Sequence, residues 1–182
     1  DSTVICVVKD GRVVEQIERL GKDTTWTAGK LRETADRYKL PAERCAVDDT
    51  GVGGGVTDQL WNSGFVVEAV NFGAGAPTED DAANRTREAR RGMTEGFTNM
   101  RTWLYWRAKE DIDKGLVGGV DSELASELHA HEYDYDTAQR VRLAPKEHVK
   151  RALGRSPDHA DAFVLALYGA RKSSRMPWLE VA

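Results

Sequence analysis

The sequence predicts an α/β fold, and three stretches carry the prediction. Residues 44–70 read as strand, glycine-rich turn, helix and strand. That order is a βαβ unit, so strands 44–48 and 65–70 are expected to lie parallel and adjacent. Residues 3–17 read as a β-hairpin turning at Asp10-Gly11. The last strong helix, 158–172, carries the apolar run Phe163-Val164-Leu165-Ala166-Leu167-Tyr168, which has to be buried.

Composition narrows the class. A chain of 182 residues suits one domain with a sizeable core, and 40% hydrophobic with 31% charged residues suits a water-soluble globular protein. No apolar run reaches transmembrane length, so no membrane partner is expected. The start, Asp1-Ser2-Thr3-Val4, is not a signal peptide and has no initiator Met, which reads as a fragment or a processed product. Cys6 and Cys45 sit in apolar, strand-like runs and read as buried free thiols in a reducing compartment. A net charge of −4 does not advertise a polyanion binder, so any nucleic-acid contact must come from a local basic face.

In chain order, Thr3–Val8 and Val13–Ile17 are the hairpin strands. Asp23-Thr24-Thr25 caps a helix from Trp26 to Lys39, with Leu31, Ala35 and Tyr38 on one face, and Leu40-Pro41 ends it. The strand Arg44-Cys45-Ala46-Val47 runs into Asp48-Asp49 and the turn Thr50-Gly51-Val52-Gly53-Gly54-Gly55. A helix over 56–63 ends at Gly64, and Phe65–Val70 is the next strand. Residues 74–96 are polar and arginine-containing and read as a flexible insertion; Arg85, Arg87, Arg90 and Arg91 suggest either a DNA-contacting arm or a plain polar insertion. Helices are expected over 97–112, 123–129 and 145–153, with a small hairpin over 132–143. The last ten residues read as frayed.

The chemistry concentrates at two places. Asp48 ends a predicted parallel strand, where open α/β sheets form sites. The glycines after it let the backbone turn sharply and let a ligand approach. No Gly-Lys-Ser/Thr follows, which excludes a nucleotide P-loop, and no acid ends the following strand, which excludes a dinucleotide fingerprint. Asp49 should face away from Asp48. The second place is Gly154-Arg155-Ser156-Pro157-Asp158-His159-Ala160-Asp161. Ser156 reads as the N-cap and Pro157 as a first-turn residue. Asp158 and Asp161 share a helix face. Acids in a first turn complement the helix dipole, yet two carboxylates at the mouth of a buried helix also call for a cation, either a divalent metal or a nearby Arg. His159 points off that face. Arg140, Arg142, Lys146, Lys150, Arg151 and Arg155 lead into the acids and suit phosphate contacts or a solvated face. Trp103, Tyr105 and Trp106 cannot all face the core, and core packing is their default role.

Taken together, Val47-Asp48-Asp49-Thr50-Gly51-Val52-Gly53-Gly54-Gly55-Val56 and Gly154–Phe163 resemble the nuclease domain of the large subunit of tailed-phage terminases. Val70-Asn71-Phe72-Gly73, the helix with Arg101 to Trp106, and Arg142-Leu143-Ala144-Pro145-Lys146 fit the same resemblance, which spans nearly the whole chain. It implies a ribonuclease H-like fold: a central mixed β-sheet flanked by helices. The family's first strand, which carries a principal catalytic Asp, would precede Asp1, so the fold is expected without that strand here. It implies one nuclease domain over 1–182, with the family's N-terminal ATPase domain absent from this stretch. It implies two Mg²⁺ or Mn²⁺ ions on Asp48, Asp161 and Asp158, with hydrolysis of concatemeric double-stranded DNA during genome packaging in the host bacterium's cytoplasm. Arg142, Lys146, Lys150, Arg151 and Arg155 would contact the DNA, and the ATPase domain, the small terminase subunit and the portal would be partners. Two other readings stand beside it: a non-catalytic module that binds DNA or the portal, motivated by the family's first catalytic Asp being missing from this stretch, and a resolvase-like nuclease of the same fold.

Overall fold

The computed structural model describes residues 2–77 and 96–172. The predicted insertion, its arginines and the C-terminal residues 173–182 fall almost entirely outside them. Strands β1 (Ser2–Lys9) and β2 (Arg12–Leu20) form the hairpin. Asp10 and Gly11 turn it with φ of 50° and 72°, the paired left-handed conformations of a tight hairpin turn. Val7 pairs with Glu15 and Val8 with Val13, so Val14 is bulged out. Helix α1 (Thr24–Tyr38) starts at Asp23, whose carboxylate accepts from the Trp26 N–H at 2.7 Å.

The expected strand over 44–48 is shorter than its apolar pattern suggests. Ala42–Arg44 forms a turn of 3₁₀ helix, and β3 is Ala46–Asp48. Helix α2 (Gly53–Asn62) follows, beginning inside the glycine run, and β4 (Glu68–Val70) pairs parallel with β3, Asp48 opposite Val70. Phe65 and Val67 are buried without being strand. Next come α3 (Met100–Asp113), α4 (Ser122–His129), the antiparallel pair β5 (Tyr133–Tyr135) and β6 (Val141–Leu143), α5 (Lys146–Leu153) and α6 (Asp158–Lys172).

Among the described residues the sheet component is thus three two-stranded pieces. Helix α6 ties two of them together, packing against both β1 and β3. Its Ala160, Phe163, Val164, Leu165 and Leu167 join Leu104, Tyr105 and Leu124 in the larger core cluster. The approach to the β3 side is very close. A Cβ on Gly169 would lie 2.2 Å from the Arg44 carbonyl oxygen, so only glycine fits. A second cluster (Ala28, Ala35, Cys45, Val56, Leu60, Phe65, Val67) joins α1 and α2 to the parallel pair. Among the described residues β1 pairs only with β2, and β3 only with β4. A cavity of about 520 Å³ lies between them, with Ser2–Val8 on one side, Arg44–Asp48 on the other, and α6 residues beneath.

Candidate active site

Asp48, Asp158 and Asp161 all line that cavity, as does Lys146, whereas Asp49 does not. The arrangement follows from the elements that carry them. Asp48 is the last residue of β3, and its Oδ1 accepts from the Thr50 N–H at 3.0 Å, which starts the turn. The turn then passes directly over the Asp48 backbone. A Cβ on Gly53 would sit 1.7 Å from the Asp48 carbonyl oxygen, while one on Gly54 would come no closer than 3.7 Å, to Asp49 Oδ1. Gly53→Ala should therefore displace the end of β3, costing about 1–3 kcal/mol and disturbing Asp48, whereas Gly54→Ala should fold like the parent. Urea midpoints of the two variants check this, and equal midpoints would show that the turn relaxes freely.

Asp158 and Asp161 stand in the first turn of α6, but that helix is not capped as the sequence suggests. Its first bonded carbonyl is that of Pro157, which accepts from the Asp161 N–H at 3.0 Å. Ser156 Oγ is buried and takes no backbone N–H of the helix. The capping acceptor is instead remote: Glu127 of α4, fully buried, takes the Ala160 N–H at 2.7 Å on Oε2 and the Arg155 guanidinium on Oε1. Asp158 Oδ2 accepts from both the backbone N–H and the hydroxyl of Ser2, each at 3.0 Å, which fastens the start of β1 to α6.

Asp161 is the most enclosed of the three acids, its side chain 11% exposed. Tyr105 Oη donates to its Oδ1 at 2.6 Å and Lys146 Nζ donates to Oδ2 at 2.6 Å. Arg101 Nε approaches Oδ1 to 3.9 Å, beyond hydrogen-bond range but within Coulombic reach. Burial, then the Asp161 charge, pushes the Tyr105 phenol well above its ordinary range, so it stays a donor. Arg101 in turn donates from Nη2 to His131 Nε2 at 2.8 Å, and His131 Nδ1 meets the Glu127 carbonyl at 2.7 Å. A guanidinium only donates and a carbonyl only accepts, so His131 is the neutral Nδ1–H tautomer.

Burial, then the Arg101 charge, pushes the His131 imidazole down to about 4. Its folded value lies below the ordinary 6.5, so its contribution is complete above pH 6.5 and drains away as pH falls toward 4. The loss should reach about 2–3 kcal/mol. Urea midpoints from pH 7 to 4.5 should fall more steeply for the parent than for His131→Asn, which cannot titrate; parallel curves would remove His131 from the acid sensitivity.

The basic residues divide. Lys146 reaches the cavity. Arg142 is exposed and makes a two-pronged pair with Asp134 (2.8 and 2.6 Å), and exposed Arg151 donates to the Glu147 carbonyl at 3.3 Å. Lys150 is half-buried on α5. Arg155 lies on Glu123 (3.0 Å) and Glu127 and does not line the cavity. Of the aromatics, Tyr105 is buried at the site, Trp103 stands edge-on to Tyr168, and Trp106 packs on Phe97 and Tyr133. Ser2, Glu127 and His131 were not singled out by the sequence, although each positions the acids or the groups around them.

The donor set suits a hard divalent cation, since carboxylate oxygens are what Mg²⁺ and Mn²⁺ take. Asp161 already holds the Lys146 ammonium there. The three acids do not close into a trio whose oxygens all lie within 4.8 Å of one another. Neither a family model nor a curated protein matches the sequence. Solved structures do match. The nuclease domain of the large terminase subunit of bacterial virus Sf6 superposes with a TM-score of 0.72 at 21% identity, over 92% of this chain and 82% of that one. The chain has the fold of a terminase nuclease domain. A lysine-to-alanine variant of that Sf6 domain with calcium gives a TM-score of 0.71 at 19% identity over 92% and 82% of the two chains, and one with manganese gives 0.69 at 19% over 89% and 81%. The terminase-nuclease fold is ribonuclease H-like, as the sequence resemblance implies.

Proposed function

We propose that this chain is the metal-dependent endonuclease domain of a phage terminase large subunit, cutting concatemeric double-stranded DNA during packaging. What supports the reading is one convergence: Asp48 from a strand end and Asp158 and Asp161 from a helix start reach the same cavity, in a fold shared with the Sf6 nuclease domain. Asp48, Asp158 and Asp161 would hold Mg²⁺ or Mn²⁺. Two such ions, when bound, would supply an activated water and charge stabilisation for the departing 3′ oxygen. The residues of the chain do the positioning. Tyr105 fixes one Asp161 oxygen, and the paired donors of Ser2 fix one Asp158 oxygen. Lys146, 35% exposed beside Asp161, would offer its ammonium to the scissile phosphate. Arg142, Lys150 and Arg151 supply backbone contacts that hold register without reading bases, with Arg155 contributing from the edge. Residues 1–182 act as one domain, working with an ATPase domain, the small terminase subunit and the portal in the host cytoplasm. No helix among the described residues is long and apolar enough to cross a membrane.

Nicking of supercoiled plasmid in Mn²⁺ by this chain, with Asp48→Ala beside it, tests the reading. The expected result is cleavage that Asp48→Ala loses. Cleavage at the parent rate by Asp48→Ala in the full protein would overturn it. A second reading, DNA or portal binding without cleavage, is favoured by the Lys146–Asp161 ion pair, which already neutralises the most enclosed acid. It predicts salt-dependent DNA binding with no metal requirement.

A further inference from the structure

A second cluster of metal-ligating groups lies on another side of α6. Glu18 near the end of β2, Glu123 at the start of α4 and His159 in the first turn of α6 each offer one ligand atom, and all three atoms lie within 4.8 Å of one another. None of the three lines the cavity that holds Asp48, Asp158 and Asp161. The residues are far apart in sequence, and only the packing of the hairpin and α4 around α6 brings them together.

The state of His159 makes this more than a group of acids. Its side chain is only 6% exposed, and its Nε2 is buried with no hydrogen-bond partner. Nδ1 lies 3.1 Å from Gln16 Oε1, and the Gln16 amide nitrogen is itself buried without a hydrogen-bond partner. A carbonyl oxygen only accepts, so Nδ1 carries a proton, and Nε2, which holds a lone pair in the neutral ring, points out between the carboxylates. The oxygen of Glu18 is 3.6 Å from Nε2 and that of Glu123 is 3.9 Å away. Both are too long for hydrogen bonds. They are close to the ligand–ligand spacing of a tetrahedral ion with bonds near 2.1 Å, about 3.4 Å. Two carboxylates facing one buried ring nitrogen call for positive charge among them; Arg155, 3.0 Å from Glu123, supplies part of it, and a metal ion at Nε2 would supply the rest.

We propose that Glu18, Glu123 and His159 form a Zn²⁺ site separate from the nuclease cleft, stapling β2 and α4 to the helix that carries Asp158 and Asp161. One imidazole and two carboxylates are a zinc-type donor set, while Mg²⁺ prefers oxygen alone. The carboxylates are about half exposed (44% and 48%), so they can close by a rotamer change and leave a fourth position for water. Gln16 is the outer partner that orients the imidazole, as metal-bound histidines require. Glu123 leaves Arg155 on closing, and Arg155 keeps its place on buried Glu127.

The test is calorimetric titration of the whole chain with Zn²⁺, beside Glu18→Gln/Glu123→Gln and Asp48→Asn. The glutamates are exposed enough for their amides to leave the fold intact, which circular dichroism checks. In excess Mg²⁺, which competes for the all-carboxylate cavity, one Zn²⁺ per chain is expected, with affinity at least tenfold weaker in Glu18→Gln/Glu123→Gln and unchanged in Asp48→Asn. No binding by the parent, equal binding by the glutamine pair, or loss in Asp48→Asn would each overturn the site. Plasmid cleavage is not the readout, so failure here leaves the nuclease reading standing.

Discussion

Asp161→Asn is expected to reduce metal-dependent cleavage by at least a hundredfold. Loss of a group that only orients a ligand costs about 10- to 100-fold, and Asp161 is proposed as the ligand itself. The amide is chosen because it is nearly isosteric. Its carbonyl oxygen can still accept from Tyr105 Oη, now at 2.6 Å from Oδ1, so the packing of α3 against α6 is kept. What disappears is the charge, and with it the partner of Lys146, which is 35% exposed and can turn to water. Tyr105→Phe removes one fixing bond while leaving the charge, and should fall in the smaller 10- to 100-fold range. The ratio between the two variants separates ligation from orientation. An Asp161→Asn protein that cuts within a few-fold of the parent would take Asp161 out of the ligand set.

Much of this was legible because local rules and tertiary structure agree. Asp10-Gly11 can turn a hairpin in few ways, and it does so with both residues left-handed. The Gly51–Gly55 run after Asp48 demanded a tight turn, and Gly53 proves to have no room for a Cβ. Pairing Asp48 with Asp158 and Asp161 came from the family resemblance, since no spacing rule connects residues so distant in sequence. The α6 cap was misread because a serine before Pro-Asp is the strongest local signal available. The actual acceptor, Glu127, comes from another helix. A signal for it existed. Leu124, Glu127 and Leu128 fall at i, i+3 and i+4, so a carboxylate sits on the apolar face of a short amphipathic helix. An acid there must find a partner inside. By contrast, nothing local could reveal that Ser2 donates to Asp158 or that Glu18 and Glu123 meet at His159, because those meetings depend on where the hairpin and α4 dock.

Glu127 is therefore the residue whose loss should cost the fold most. Its side chain is fully buried, and it answers two demands at once: a backbone N–H in the first turn of α6, and the Arg155 guanidinium. Glu127→Ala leaves the Ala160 N–H buried without an acceptor and opens a cavity beside Leu124. Removing one member of a buried ion pair costs about 3–5 kcal/mol. The lower end applies, because Arg155 is 42% exposed and can rehydrate. A loss of about 3 kcal/mol is a large share of a small domain's total stability. Glu127→Gln tests which demand dominates. Its side-chain oxygen can still cap Ala160, but it cannot neutralise Arg155. If the cap carries the effect, the glutamine variant should recover more than half of the loss in urea midpoint; if the ion pair does, it should recover little. Neither variant should change the midpoint only if α6 is held by its apolar face alone, in which case Glu127 has no part in placing Asp158 and Asp161.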